Sequence, residues 1–449
     1  MSRVSKSIIS IMLVFVLLFS SCSVVFAAPD LGAKKQKNTI IVVPGLLGSE
    51  LFSSKDQIVD STYFEKGYRF WVPECLMPFI DQDAKIDLEN LSEIQIKSIK
   101  RDLSLVACDE NGKSKVEVME TNPIKDCRKN PDKRNFGTGN FYVKLINNLI
   151  KNTNENEYDI VFFSYDWRLS CGKTAKNLEK FINDNNYKNV TLISHSMGGL
   201  VCASYLSNPK NASKVNKTIS LGSPFLGSPR AYSAIDYGKF IDGFLGFMSS
   251  PILRPIIKSV AENCPSIYEL LPPKQYFDYF NEGYLNKPNN NVCLPPTNIK
   301  TYKDTNRYIL SKRKWPKSAS KLLKDAQAFH NTLYTNGKFV LENKNIKLYN
   351  LMGFNSETVD QFNLLRTNSC IWPNEKYVNG DNLVSIKSAL VGHALDNKDN
   401  YYINNVSHMA LATDKFCISM VSNLVKGNTA LYNKDNNLVQ RTRPSDIIQ

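Results

Sequence analysis

Short unbroken apolar runs alternate along the chain with longer segments whose apolar residues recur at three- and four-residue spacing. The runs lie at 39–43 ("TIIVV"), 159–163 ("DIVFF"), 190–194 ("VTLIS"), 215–221 ("VNKTISL") and 346–354 ("IKLYNLMGF"). Runs of this length, bounded by turn residues, predict strands buried on both faces. Helical spacing falls between them, at 139–152, 174–185 and 197–208. The alternation predicts a parallel sheet with helices on both sides and a site at the carboxyl ends of its strands. Two stretches break the rhythm. Residues 52–135 read as an irregular insertion with aromatic islands such as "YRFWVPECLMPFI", and the pattern weakens again over 228–344. Within the second, 237–257 carries only Lys239, Asp242 and Arg254 as charges and reads either as a lid or as a pair of core helices. The expected organisation is one domain over 38–425 with these two insertions, followed by a polar, poorly ordered tail at 426–449.

The N-terminus follows a different logic. Arg3 and Lys6 precede a short apolar run that ends in small residues near Ala28. Residues 1–27 therefore read as a secretory signal, with lipid attachment at Cys22 as the alternative. Export permits disulfides, but nine of the ten cysteines lie beyond the signal, an odd number. Cys108 and Cys127 flank a polar segment and are the expected bridge; Cys202 reads as a buried thiol. The cysteines form no Cys-x-x-Cys pair and no cluster with histidine. That spacing predicts no metal site, and the sequence calls for no cofactor. The net charge of +14 suits attraction to an anionic membrane or cell-wall polymer, an evenly solvated lysine-rich surface being the plain alternative. The arginine–aromatic pattern of a nucleic-acid binder is missing from the sequence.

Candidate chemistry centres on "TLISHSMGGLV" at 191–201, a strand, a tight turn and a helix with Ser196 at the apex. A nucleophile elbow needs small residues two positions either side of the serine. Gly198 supplies one and Ser194 the other. An activated serine also needs a base, an orienting acid and oxyanion donors. In the chain order serine, acid, histidine, His408 fits the base best, with His393 in reserve and His330 too early. Asp381, in "NGDNLVSIKSA", is the expected acid; Asp396 and Asp399 are alternatives, and an Asx turn is its plain reading. The N–H groups of Met197 and of Leu46, in the loop after the first strand, are the expected oxyanion donors. His195 reads as a packing and hydrogen-bonding residue.

Several stretches together resemble the lecithin:cholesterol acyltransferase family: "VVPGLLGSEL", "FGTGNFYVKLINNLI", "SYDWRL", "LISHSMGG", "ISLGSPFLGS", "NGDNLVSIKSA" and "VSHMALA", in family order. The resemblance implies an α/β-hydrolase fold with Ser196, Asp381 and His408 as triad and Leu46 and Met197 as oxyanion donors. It implies a membrane-contacting insertion bearing Phe70 and Trp71, and a lid bearing Phe244 and Phe247. The acid loop departs from the family's usual Gly-Asp-Gly-Thr-Val-Pro. The activity this implies is a secreted lipase or phospholipase with acyltransferase capability, acting on membrane lipid. An esterase for cell-wall or small acyl esters is the alternative reading, and a non-catalytic surface-binding relative a third.

Overall fold

The computed structural model describes residues 36–73, 92–119, 123–130, 136–239, 253–289, 297–312, 315–343, 345–366, 371–392, 394–395, 399–429 and 439–440. The signal at 1–27 with Cys22, the lid residues Phe244 and Phe247, and His393 and Asp396 lie outside them.

The five expected strands form: β1 (Asn38–Val43), β2 (Tyr158–Phe162), β3 (Val190–His195), β4 (Val215–Leu221) and β5 (Leu348–Phe354). A hairpin follows, β6 (Ser356–Arg366) and β7 (Ile371–Gly380), then β8 (Asn400–Asn404) and β9 (Val439–Gln440). The main sheet runs β9-β8-β5-β4-β3-β1-β2. Its pairings are parallel except for β9, which adds antiparallel to β8 through Tyr402↔Gln440 and Ile403↔Val439. The tail thus contributes an edge strand that its polar composition did not predict.

Period-two alternation divides the core. Ile40 and Val42 of β1 point into one apolar layer, with Leu145 and Leu149 of α2 (Val143–Asn152) and Val421 and Leu424 of a C-terminal helix. Ile41 and Val43 point into the other, with Leu178 and Ile182 of α3 (Cys171–Asp184) and Leu200 and Val201 of α4 (Gly198–Leu206). Both faces are covered, so β3 is buried at all six positions. Each such aliphatic side chain stabilises the fold by about 1.5–3 kcal/mol. The architecture is the expected α/β-hydrolase fold.

The insertions are more regular than expected. Within 52–135, α1 (Glu93–Val106) forms, opened by a capping box. Ser92 Oγ accepts from Gln95 N at 3.3 Å, and Ser92 N donates to Gln95 Oε1 at 2.9 Å. Two short antiparallel pairs precede it, Leu51–Phe52 with Arg69–Trp71 and Gln57–Val59 with Thr62–Phe64. Over 228–344 the helices include α5 (Arg230–Tyr237), α6 (Arg254–Glu262) and α7 (Ala319–Thr332). α6 packs on both α5 and α1, joining the two insertions. Among the described residues, no helix is long and apolar enough to cross a membrane.

The expected Cys108–Cys127 bridge is not formed. Both are buried thiols, as are Cys171, Cys202, Cys264 and Cys417. Cys108 lies against Cys264, which is its hydrogen-bond partner, while Cys127 belongs to the core layer under α2.

Candidate functional site

β3 hands the chain to α4 through Ser196, whose φ of +53° is rare for a residue with a side chain. The turn is held by Ser196 N–H donating to Leu221 O and Gly199 N–H donating to Ser196 O, each at 2.9 Å. A Cβ on Gly198 would come within 2.5 Å of Val43 O, so glycine is obligatory there. Ser194 is different. It sits in regular β3 pairing between Val43 and Ser220, and its side chain meets the Cys202 thiol. A serine fits on that side because the neighbour is a side chain rather than a carbonyl.

The loop after β1 crosses beside the elbow. Gly48 N–H donates to Gly45 O at 3.0 Å, closing a turn with Leu47 at φ +61°. A Cβ on Gly45 would lie 2.8 Å from Ser196 Cβ, so the loop approaches the serine only as glycine. Tyr165 O–H donates to Pro44 O at 2.7 Å, and Gly45 N–H donates to Tyr142 Oη at 2.9 Å. The N–H groups of Leu46 and Met197 have no intramolecular acceptor among the described residues.

Trp71 belongs to the support of this loop. Its Nε1–H donates to Leu47 O at 3.0 Å and to Thr138 Oγ1 at 3.1 Å, and its ring meets Trp167 edge to face. It is 1% exposed and Phe70 is 0% exposed. The expectation that these two rings touch a membrane is therefore corrected. Both are core residues under the loop, and neither lines the cavity at Ser196.

Asp381 follows β7, and His408 lies in the loop after β8. His408 Nδ1 and Asp381 Oδ2 are 2.9 Å apart. Asp381 Oδ1 accepts from Leu383 N at 3.0 Å and Val384 N at 2.7 Å, an Asx-type turn that fixes the carboxylate. One carboxylate oxygen of Asp381 thus closes the Asx turn and the other faces His408 Nδ1. His408 N–H donates to Asp381 O at 2.8 Å. With Nδ1 engaged, Nε2 is the free ring nitrogen, and among the described residues it has no hydrogen-bond partner.

Ser196 and His408 line one cleft, open at its mouth, with Leu46, Phe141, Leu270, Leu383, Val384 and Met409 giving it an apolar wall. Arg230 of α5 also lines it, paired with Glu375 Oε1 at 2.6 Å. The sequence reading missed Arg230. It missed Gly222 as well, where a Cβ would meet Asp381 Oδ2 at 2.8 Å and His408 Nδ1 at 3.1 Å. The Gly after a strand was visible in "SLGSPF", but nothing local says what approaches it. Ser196, Asp381, His408, Leu46 and Met197 are brought together. His330 is elsewhere, buried in α7 with its Nε2 against Glu269 O. Asp399 precedes β8, at the opposite end of the sheet from His408. No group of His, Cys, Asp and Glu that could hold a metal occurs among the described residues.

Comparison with known proteins shows the family. The family model for lecithin:cholesterol acyltransferase matches residues 132–429. Phospholipase A(1) LCAT3 of Arabidopsis thaliana is 35% identical over 119 residues, 24% of this chain and 26% of that protein. The match thus spans about a quarter of that relative's length. Among solved structures, a chain of the Tle4–Tli4 complex is 13% identical with a TM-score of 0.49, over 89% of this chain and 100% of that one. The mature lipase BlEst2 of Bacillus licheniformis is 19% identical with a TM-score of 0.20, over 44% and 46%. Neither score reaches 0.5, so neither neighbour informs the site. The family match covers the elbow, the acid loop and the histidine loop in one continuous span, and the chain belongs to the lecithin:cholesterol acyltransferase family.

Proposed function

We propose that the protein is a lipid-ester hydrolase and acyltransferase that works through Ser196. His408 Nε2 takes the proton as Ser196 Oγ attacks the acyl carbonyl, and the N–H groups of Leu46 and Met197 hold the oxyanion. Asp381 keeps His408 in the Nδ1–H tautomer and stabilises the imidazolium. The tetrahedral intermediate collapses as His408 returns the proton to the leaving alcohol, giving an acyl-enzyme. Water completes hydrolysis; a second alcohol completes transfer. The observation that carries this reading is the meeting, on one apolar cleft, of a strained serine, an acid-paired histidine with a free nitrogen, and two N–H groups without acceptors. Family membership supports lipid esters as the substrate class, and export through residues 1–27 with attraction to an anionic surface completes the proposal. A fluorophosphonate probe tests it: wild type labels on Ser196 and Ser196→Ala does not. Equal labelling of the two, or none of wild type, refutes the mechanism.

The burial of Phe70 and Trp71 favours a second reading, an esterase for soluble or cell-wall acyl esters, because two expected lipid contacts are removed. Turnover of short-chain esters with no gain on anionic vesicles would select it; strong activation by vesicles selects the first.

A further inference from the structure

We propose that Tyr142 and His195 are positioning residues for the acyl-transfer step, forming one buried relay that runs from the oxyanion loop to the backbone of His408. The inference rests on the serine mechanism proposed above and names what holds its parts in register. Its members are Gly45 N–H to Tyr142 Oη at 2.9 Å, Tyr142 Oη to His195 Nδ1 at 2.9 Å, and His195 Nε2 to His408 O at 3.1 Å.

The direction of every bond in the relay is determined. The His408 carbonyl can only accept, so His195 Nε2 carries the proton. Burial depresses the His195 imidazole to about 3, with the nearby His408 ring adding to the effect, so the ring is neutral and Nδ1 is a bare acceptor. Tyr142 must then donate to Nδ1, and burial raises its pKa, which keeps that proton in place. The remaining lone pairs of Tyr142 Oη receive Gly45 N–H. Each group is buried, and each has its partner.

One end of the relay meets the loop packed against Ser196 and the other meets the backbone of His408, and Gly45, Ser196 and His408 line the same cleft. At one end, Gly45 N–H and Pro44 C=O belong to the same peptide plane. Tyr142 holds the first and Tyr165 the second. The next plane carries Gly45 C=O and the Leu46 N–H, and it is held by Gly48 N–H at 3.0 Å, so the two pinned planes together set where the Leu46 N–H points. At the other end, His408 has its N–H bound to Asp381 O and its carbonyl bound to His195. The His195 and His408 rings also pack, with centroids 4.9 Å apart. The residue before the serine thus holds the base through the His408 carbonyl, while the Tyr142 hydroxyl holds the loop that carries the oxyanion donor.

Tyr142→Phe keeps the ring and removes the relay's central hydroxyl. Its kcat on a soluble nitrophenyl ester falls about 10–100-fold with KM within about twofold, because the lost alignment acts on the tetrahedral state. Affinity for an aryl boronic acid, which forms a tetrahedral anion on serine, falls by the same factor. Global loosening of the fold would move KM and thermal stability instead. The second pair of variants is His195→Gln and His195→Leu. The glutamine amide can donate to His408 O and accept from Tyr142, so it retains at least about tenfold more activity than leucine. Unchanged kcat and boronate affinity in Tyr142→Phe, or equal activity of the two His195 variants, overturns the relay. Wild type that fluorophosphonate does not label would overturn the serine mechanism itself, a separate result.

Discussion

At the residue scale, the site depends on atoms that are missing as much as on those present. Gly222, at φ +59°, leaves the space that Asp381 Oδ2 and His408 Nδ1 occupy. In Gly222→Ala the new methyl would push the pair apart and sit in an unfavourable backbone region. We expect a loss of about 1–3 kcal/mol in stability, read by denaturant unfolding, and ester turnover at least about a hundredfold lower. Unchanged turnover in a folded variant would contradict the geometry. Asp381→Asn keeps the shape of the acid loop and removes the charge that selects the His408 tautomer. Its kcat should fall by about 10³–10⁴-fold, whereas Asp399→Asn, at the far end of the sheet, should match wild type. The reverse order would assign the acid to Asp399. Ser196, Asp381 and His408 were legible because each sits in a short motif next to a strand. Gly222, Tyr142 and Arg230 were not, since their partners lie far off in sequence: Tyr142 and His195 are 53 residues apart.

At the element scale, the 228–344 insertion is fastened to the core by a buried carboxyl. Glu269 accepts from Ser170 Oγ at 2.5 Å and from Cys171 N at 2.6 Å, at the N-terminus of α3. The next residue, Leu270, lines the cleft and accepts from Ser228 N at 2.8 Å. Burial outweighs those donors and raises the Glu269 carboxyl to about 7. A raised folded pKa stabilises the protein in full below the unfolded value of 4.5, and that contribution is lost as pH rises through about 7. The melting temperature of wild type minus that of Glu269→Gln should therefore be greater at pH 4.5 than at pH 8. Parallel curves would contradict the assignment. The five principal strands and the elbow helix were legible because both-face burial leaves an unbroken apolar run. α1 was overlooked in a stretch dominated by aromatic islands, although Ser92, Gln95, Ile99, Leu103 and Val106 carry a capping box and helical spacing. A strand ending before Asp381 was expected and is β7, but its hairpin partner β6 was missed for the opposite reason. The residues of β6, "SETVDQFNLLR", are largely polar, and its pairing is set by the partner strand, "IWPNEKYVNG".

At the scale of the whole molecule, the main sheet brings the ends of β1, β3 and β8 to one cleft and the hairpin strand β7 delivers Asp381 beside His408, while the insertions join through α1 and α6. On the proposed export, loss of residues 1–27 takes away Arg3 and Lys6 and no acid, leaving 14 − 2 = +12, a charge that would add long-range attraction to anionic lipid. Binding to anionic vesicles, measured by co-sedimentation, should weaken steeply between about 0.05 and 0.5 M salt as the Debye length shrinks. Salt-independent binding would assign attachment to apolar contacts instead. The aromatic insertion is where sequence and structure part most clearly. Phe70 and Trp71 resemble a lipid-contacting motif, yet Trp71 spends its N–H on Leu47 O and supports the loop that carries Leu46. A motif reports residue types; only the surrounding packing decides whether they face water or core. The most direct test of the whole account is fatty-acid release from phospholipid vesicles by wild type and Ser196→Ala, both confirmed folded. The account predicts release by wild type and a fall of at least about 10³-fold in the variant. Release that persists undiminished in Ser196→Ala would contradict it.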